Sequence, residues 1–580
     1  MKGKVKMRDF TAKREASIKS ILNDKYAFDT TKSYDVFPGG DIYGGNAILH
    51  IICDDDLETA FRMLKHAATW YEHEHPTKRD PRGEADFVAI RLMMAIYEPR
   101  CWDKLPEDVK DAVKTFLLDR DISSMHGSEN HSLIFHVSRL LTAQFFKDGY
   151  FSVYKMSAKE AYDFDTQYLS DFINFRAGRS WGEFDSLGYA VEDLMTLNTL
   201  YAYTDNPELK MKAKMIMDII MLDMIADSKG YLYGGAHGRS YPHAVIHRDR
   251  SGMAGVYNYY FGDNNRGAPG IISYFSDYQP SDIIYEIEKN KKFPYENRER
   301  KHLHCMAEWM RDIKWDVLNT VTGCISKYTY VTEDYILGSV NRQEEYPLDY
   351  KGRGYARHQQ QDWELTLTGA GDHKIFTHHL MPEGYYHINN RWTGDHGCCC
   401  GRYYTNKNTA LAMYNIGPDK DPIINAYCPL DVFSDKILED NYLFLEYGKL
   451  YISLYLSEGY KVNYECNDEF KGRELLSEGR QHAVALRVEY KDKFESLAAF
   501  AESIKKMPVV FDKEAKTVKF DGIELRTDGN SEGGKENIYP YEKLYDCYFM
   551  QSEYDSKIIE VISGDKKVIY DFNQNKITEK

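Results

Sequence analysis

The chain is short of several things, and each shortage narrows what it does. Its 580 residues hold no apolar run of the length a secretory leader or a membrane helix needs, and Met1 to Ser20 carries Lys and Arg without one. The expectation is an unexported, cytoplasmic protein with no membrane partner. Positive charge is also short: 74 Lys and Arg against 90 Asp and Glu leave a net charge of -16. Phosphate binding works by releasing counterions to a basic surface, so nucleic acid is not an expected partner. A local group such as Arg176, Arg179 and Arg239 still allows a positive cleft for an anionic ligand. Cysteine is sparse, 10 residues scattered except for Cys398-Cys399-Cys400. Adjacent thiols fit disulfide geometry poorly with one another, and the two-residue spacer of zinc-binding pairs is missing, so reduced, structural Cys is expected. Low-complexity tracts and exact repeats are absent.

What is present is core material. Hydrophobic residues at 43% and aromatics at 14%, with 47 Tyr, exclude a disordered chain. So many Tyr suit carbohydrate faces, or equally an interior packed with rings whose hydroxyls stay wet. A length of 580 residues exceeds one ordinary core and predicts two domains. Amphipathic helical runs are expected near 56–74, 84–98, 106–119, 130–147, 157–176, 188–204 and 207–227, with another near 296–314. Beyond about residue 318 the texture changes to short alternating stretches such as Tyr335 to Val340, Leu450 to Leu456, Ala483 to Val488 and Lys557 to Ile562, read as antiparallel β. Helices first and strands afterwards predict an α+β multidomain chain. A helical unit over 1–317 precedes a β unit over 318–580, with a smaller C-terminal β subdomain from about 480.

Reactive side chains gather at three inter-helix links. Asn130-His131 follows Gly127-Ser-Glu, and Asn130 shares a helical stripe with Ile134, Val137 and Leu141, which points its amide inward. Arg179-Ser-Trp181-Gly-Glu183-Phe-Asp185-Ser-Leu-Gly-Tyr189 precedes the next long helix, and His237-Gly-Arg239-Ser-Tyr241-Pro-His243 follows. Three polar clusters, each at a link, predict convergence at one end of a helical barrel. The acidic run Asp54-Asp55-Asp56 is read instead as a helix start that complements the dipole.

An Asn-His helix start, a Gly178-Arg-Ser-Trp-Gly-Glu183 link ending in Tyr189, a His/Arg/Tyr cluster and a β-rich second half together resemble polysaccharide lyases. The resemblance is to those with an (α/α) toroid and an antiparallel β-sandwich, related to heparinases, chondroitin lyases and some alginate lyases. Their links often read Asp-Gly-Ser-aromatic-x-Glu, where this chain has an Arg-containing variant. The resemblance implies an incomplete helical toroid followed by a sandwich, and β-elimination of a uronic-acid glycan. Asn130, with His131 or Arg239, would neutralise the substrate carboxylate. Tyr189 and His243, with Tyr241 as substitute, would transfer protons.

The β half offers His358, Trp392, His396 and Arg402 as residues presented over the cleft, joining Arg179, Trp181, His237 and Arg239 as substrate contacts. His378-His379 is a weak metal pair, because neighbours in a strand face opposite ways. No cofactor is required, though a divalent ion is left open. The expected partner is an anionic oligo- or polysaccharide, and the oligomeric state is unassigned. A rival reading makes Glu183, with Asp185 or Asp395, the carboxylate pair of a glycoside hydrolase. A third, a non-catalytic carbohydrate-binding protein, predicts that the polar links do not converge.

Overall fold

The computed structural model describes residues 10–23, 44–69, 85–123, 128–262, 267–302, 324–343, 358–369, 371–379, 392, 395–396, 400–466, 469–526 and 541–580. Long helices span Leu57–Thr69, Ala85–Tyr97, Glu107–Asp119, Glu129–Phe145, Ala158–Arg179, Tyr189–Tyr203 and Pro207–Ala226, where the hydrophobic periodicity places them. Their starts have local causes. Ser157 and Glu160 form a reciprocal capping box at the head of Ala158–Arg179, worth about 1 kcal/mol. Asn206 accepts from two amides at the head of Pro207–Ala226, whose first residue is a proline with no amide to satisfy. Helices near in sequence pack on one another, with Glu129–Phe145 against Ala85–Tyr97, Ala158–Arg179 and Tyr189–Tyr203. None of the described helices is long and apolar enough to cross a membrane.

The second half is antiparallel β. Among the described residues one sheet has 13 strands, running from Lys461–Asn463 at one edge to Lys576–Glu579 at the other, and a second has six. They stack through a shared core in which Leu337, Trp363, Leu365 and Ile375 of the large sheet meet Ala412, Leu445, Ile452 and Leu486 of the small one. The far face of the small sheet is covered by the helix Leu497–Lys505 and the three strands between Val510 and Arg526. The far face of the large sheet lies against the helices: Ile336, Leu544, Val561 and Tyr570 join the helical core.

Two sequence expectations are corrected. The segment near 296–314 is not helical where it is described, because Tyr295–His302 is a strand with Asn297, Glu299 and Lys301 all buried on one side. These inward positions are polar or charged rather than apolar, so the period of two that marks a strand is hidden. The large sheet therefore begins upstream of residue 318. The chain from about 480 is also not a separate unit: Gln481–Tyr490 is an inner strand of the six-stranded sheet, and the strands from Lys543 onward extend the large sheet.

Candidate active site

Three links meet at the ends of the long helices, and glycines allow it. Gly238 N–H donates to the Phe184 carbonyl at 2.7 Å. A Cβ on Gly238 would stand 3.1 Å from the Phe184 nitrogen, so a larger residue would force the two links apart. Ser186 ties them again, donating to the Arg239 carbonyl at 3.2 Å while accepting from Tyr189 N–H at 3.1 Å. Ser180, Asp185 and Arg239 all hold positive φ, at 61°, 51° and 48°. Non-glycine residues pay for that conformation, of order 1 kcal/mol each, and such strain collects where a side chain must be aimed.

Glu129 clamps the middle link. Its carboxylate accepts from the backbone N–H of Gly182 at 3.0 Å and of Glu183 at 2.5 Å, and it pairs with Arg176 at 3.0 Å. Burial raises its carboxyl against the pull of Arg176, and the neighbouring Glu183 adds to the rise. Nearby Asp193 is held well above the carboxylate range by burial and then by the charges of Glu129 and Glu183. Two ion pairs hold this region, Glu129 with Arg176 and Glu183 with Arg239.

The side chains in front of this clamp form one connected line. Asn130 Nδ2 donates to Glu183 Oε2 at 2.6 Å. Glu183 Oε1 faces Arg239 Nη1 at 3.3 Å without completing a hydrogen bond among the described residues. Arg239 Nη2 donates to the Tyr189 hydroxyl at 2.8 Å, and its guanidinium lies 4.5 Å from the centre of that ring. The Tyr189 and Tyr241 hydroxyls are 2.7 Å apart, and the Tyr241 ring stacks at 6.2 Å on His243. The line runs from sealed to open: Asn130 is fully buried, Tyr189 and Tyr241 are half-buried, and His243 is exposed. Burial raises the Tyr189 phenol, outweighing the opposing charge of Arg239, so it rests as a proton donor. His131 sits beside Asn130 with Nδ1 2.5 Å from Asp86 Oδ2. Burial lowers its imidazole, but the charge and hydrogen bond of Asp86 outweigh that and leave it raised.

Asp185 goes elsewhere. Two residues beyond Glu183, its carboxylate is bonded by both Lys301 and Lys327, which lie on adjacent strands of the large sheet. Lys301 also lies 2.9 Å from both oxygens of Asp223 and 3.2 Å from Glu299. Lys327 bonds Asp227 and reaches Glu299 at 3.0 Å. Burial opposes ionisation of Asp185, but the two ammoniums hold it below the carboxylate range. Asp185, Asp223 and Glu299 come close enough to grip a cation, but the Lys301 ammonium already touches all three. The pairing of Glu183 with Asp185 across one cleft is thereby overturned: the two carboxylates belong to different clusters.

The remaining expected contacts divide as sharply. His237 is sealed, its Nδ1 2.8 Å from the Asp185 carbonyl oxygen and its Nε2 2.5 Å from Arg248, and its backbone bridges to Gln361 of the β half. Both ring nitrogens are engaged internally, which leaves none for a sugar. Arg179 pairs with Asp555 of the C-terminal strands at 2.9 Å. Gly178 explains that approach, since its carbonyl accepts from Asp555 N–H at 2.7 Å and a Cβ there would lie 3.2 Å from the Asp555 Cα. Trp181 is buried edge-on against Phe172, and Trp392 is buried among Phe376, Tyr427 and Phe470 rather than offered as a platform. Arg402 is half-buried and donates to the Gly401 carbonyl. His358 and His396 are cross-strand partners on two short strands, and their side chains lie outside the described residues, as does that of Asp395. His378 and His379 bond different groups, Gln361 and the Asp421 carbonyl. Gly127, Cys398 and Cys399 lie outside the described residues, and Cys400 is buried.

Sequence reasoning passed over Asp86, Glu129 and Asp193. Asp86 and Glu129 are acidic residues in the first turn of otherwise apolar helices, the same signal that drew attention to Asn130. They read as ordinary helix-start acids until their partners come from other helices.

No family model matches the chain, and no curated protein matches it. Among solved structures it is similar to a heparan sulfate lyase HepC mutant from Pedobacter heparinus, at 11% identity and a TM-score of 0.36, covering 88% of each chain. It is also similar to heparinase III, at 8% identity and a TM-score of 0.36, covering 90% of each.

Proposed function

We propose that this chain is a polysaccharide lyase acting on an anionic, uronate-containing glycan by β-elimination. The observation that carries the reading is the line of contacts from Asn130 through Glu183, Arg239 and Tyr189 to Tyr241, ending at the exposed His243. A proton α to a carboxylate leaves only if the charge that develops on that carboxylate is stabilised, and Arg239 with Asn130 supplies donors for it. His243 is the base: the covered part of its ring, and then the charge of His247, pull it below the usual imidazole value, so it is neutral and able to accept. The electron pair released forms the carbon–carbon double bond and expels the glycosidic oxygen. Tyr189, resting protonated, gives that oxygen its proton and Tyr241 passes one back to Tyr189; the proton taken by the exposed His243 is released to solvent and solvent returns one to Tyr241, which restores the resting state.

The test is a panel of uronate polymers followed by ultraviolet absorbance of the unsaturated product. Tyr189→Phe is expected to lower turnover by about 100- to 10,000-fold, the range for loss of a general acid, with little change in melting temperature. A Tyr189→Phe protein as active as the parent would remove Tyr189 from the reaction.

A further inference from the structure

Both donors that the proposed reaction needs for the substrate carboxylate are in use within the protein. Asn130 Nδ2 donates to one oxygen of Glu183, and Arg239 Nη1 faces the other. We propose that Glu183 is a carboxylate placeholder: its side chain holds the seat of the substrate uronate carboxylate and leaves when that carboxylate binds. This inference rests on the lyase reading and adds to it a residue that sets affinity for the anionic sugar.

Three features support a placeholder over a permanent ion pair. The first is charge. Arg239 is buried and faces Glu183, so withdrawing that carboxylate with nothing in its place would strip a buried guanidinium of a facing negative charge, which is costly. A second carboxylate added beside Glu183 would instead meet a like charge in a dry site, so the two cannot share the seat.

The second is fit. Glu183 uses the guanidinium poorly, at 3.3 Å and without a completed hydrogen bond, where a free carboxylate could take the parallel two-bond geometry that guanidinium favours. The third is mobility of the right part. The backbone at 182–183 is pinned by the Glu129 carboxylate, whereas the Glu183 side chain can leave by rotating about its own bonds. The link then stays in place while its carboxylate moves, and Tyr189 keeps its bonds to Arg239 and Tyr241.

The experiment is calorimetric binding of D-glucuronate, with D-glucose as the neutral control, to the full chain and to Glu183→Gln and Glu183→Ala. Both variants should bind glucuronate at least about tenfold more tightly than the parent, the effect of relieving one like-charge contact, with glucose unchanged. In Glu183→Ala, acetate should compete with glucuronate by filling the vacated seat, and in the parent acetate should have no effect. Equal or weaker glucuronate binding in the variants, or undetectable binding in all three proteins, overturns the proposal. If neither variant folds, a structure of the parent soaked in glucuronate decides. Glu183 turned away from Arg239, with the sugar carboxylate in its place, supports the proposal. Glu183 still in its seat overturns it. None of these readouts needs turnover, so the lyase reading stands or falls separately, on whether an unsaturated product forms.

Discussion

Glu183 and Asp185 are two residues apart on one link, yet they enter two buried charge clusters of opposite character. Glu183 joins a line of single contacts among Asn130, Arg239, Tyr189 and Tyr241 that reaches the surface. Asp185 joins a closed knot in which Lys301 and Lys327 are shared among Asp185, Asp223, Asp227 and Glu299, with no exposed member. Both clusters bury carboxylates against cations. They differ in closure: in the knot Lys301 and Lys327 each bridge three buried carboxylates, while in the line the groups become progressively more exposed and end in titratable rings. Buried charge alone therefore does not mark an active site. The line differs from the knot in a second way, since it keeps a polar atom able to take a partner: the buried Oδ1 of Asn130 has none among the described residues.

The comparison can be broken most forcefully at the knot. Lys327→Met removes one cation from among three carboxylates and should cost about 3–5 kcal/mol of stability, measured by denaturant unfolding, because uncompensated buried charge is left behind. Loss of activity without that loss of stability would make the knot part of the chemistry. A subtler effect is expected from pH. Burial, opposed by Lys301 and Lys327, raises the Glu299 carboxyl to about 8, and burial raises Asp227 to about 6 against Lys327. Both lie above their ordinary values of 4.5 and 3.8, so the folded protein keeps protons that the unfolded chain releases. That stability is present in full at acid pH and is lost as pH rises through 6 toward 8. Melting temperature should fall by a few degrees over that window, and Glu299→Gln should flatten the slope. A parent protein whose melting temperature is level or rises from pH 6 to 8 would contradict the protonated knot. The smallest effect belongs to Arg179, whose pair with Asp555 is half-exposed. Arg179→Ala should cost under about 1 kcal/mol and leave turnover unchanged, and a fall in turnover would return Arg179 to the substrate cleft.

The same contrast explains what the sequence disclosed. The helices over 57–226 and strands such as Leu450–Leu456 were legible because their inward faces are apolar and repeat at the period of their own element. Tyr295–His302 was misread because its inward positions, Asn297, Glu299 and Lys301, are polar. A pattern of hydrophobicity cannot register a strand that faces a charge knot. Asn130, Glu183, Arg239, Tyr189 and Tyr241 could be picked out because each lies at a helix start or link, where polar inward residues stand out. Their order in space could not be, nor could the divergence of Glu183 from Asp185, since it depends on lysines more than 100 residues further along the chain. His237 and Trp392 misled for a related reason: polar and aromatic residues on loops look the same whether they face a ligand or tie one half of the molecule to the other.

The central claim is that the open line performs elimination, and one measurement reaches it directly. A uronate polymer digested by the protein in water enriched in heavy oxygen is analysed by mass spectrometry. Elimination predicts that each new non-reducing end is lighter by one water than a hydrolytic end and that neither new end carries the heavy label. Saturated ends with heavy oxygen incorporated at the cleaved bond would contradict the account and make Glu183 part of a hydrolase.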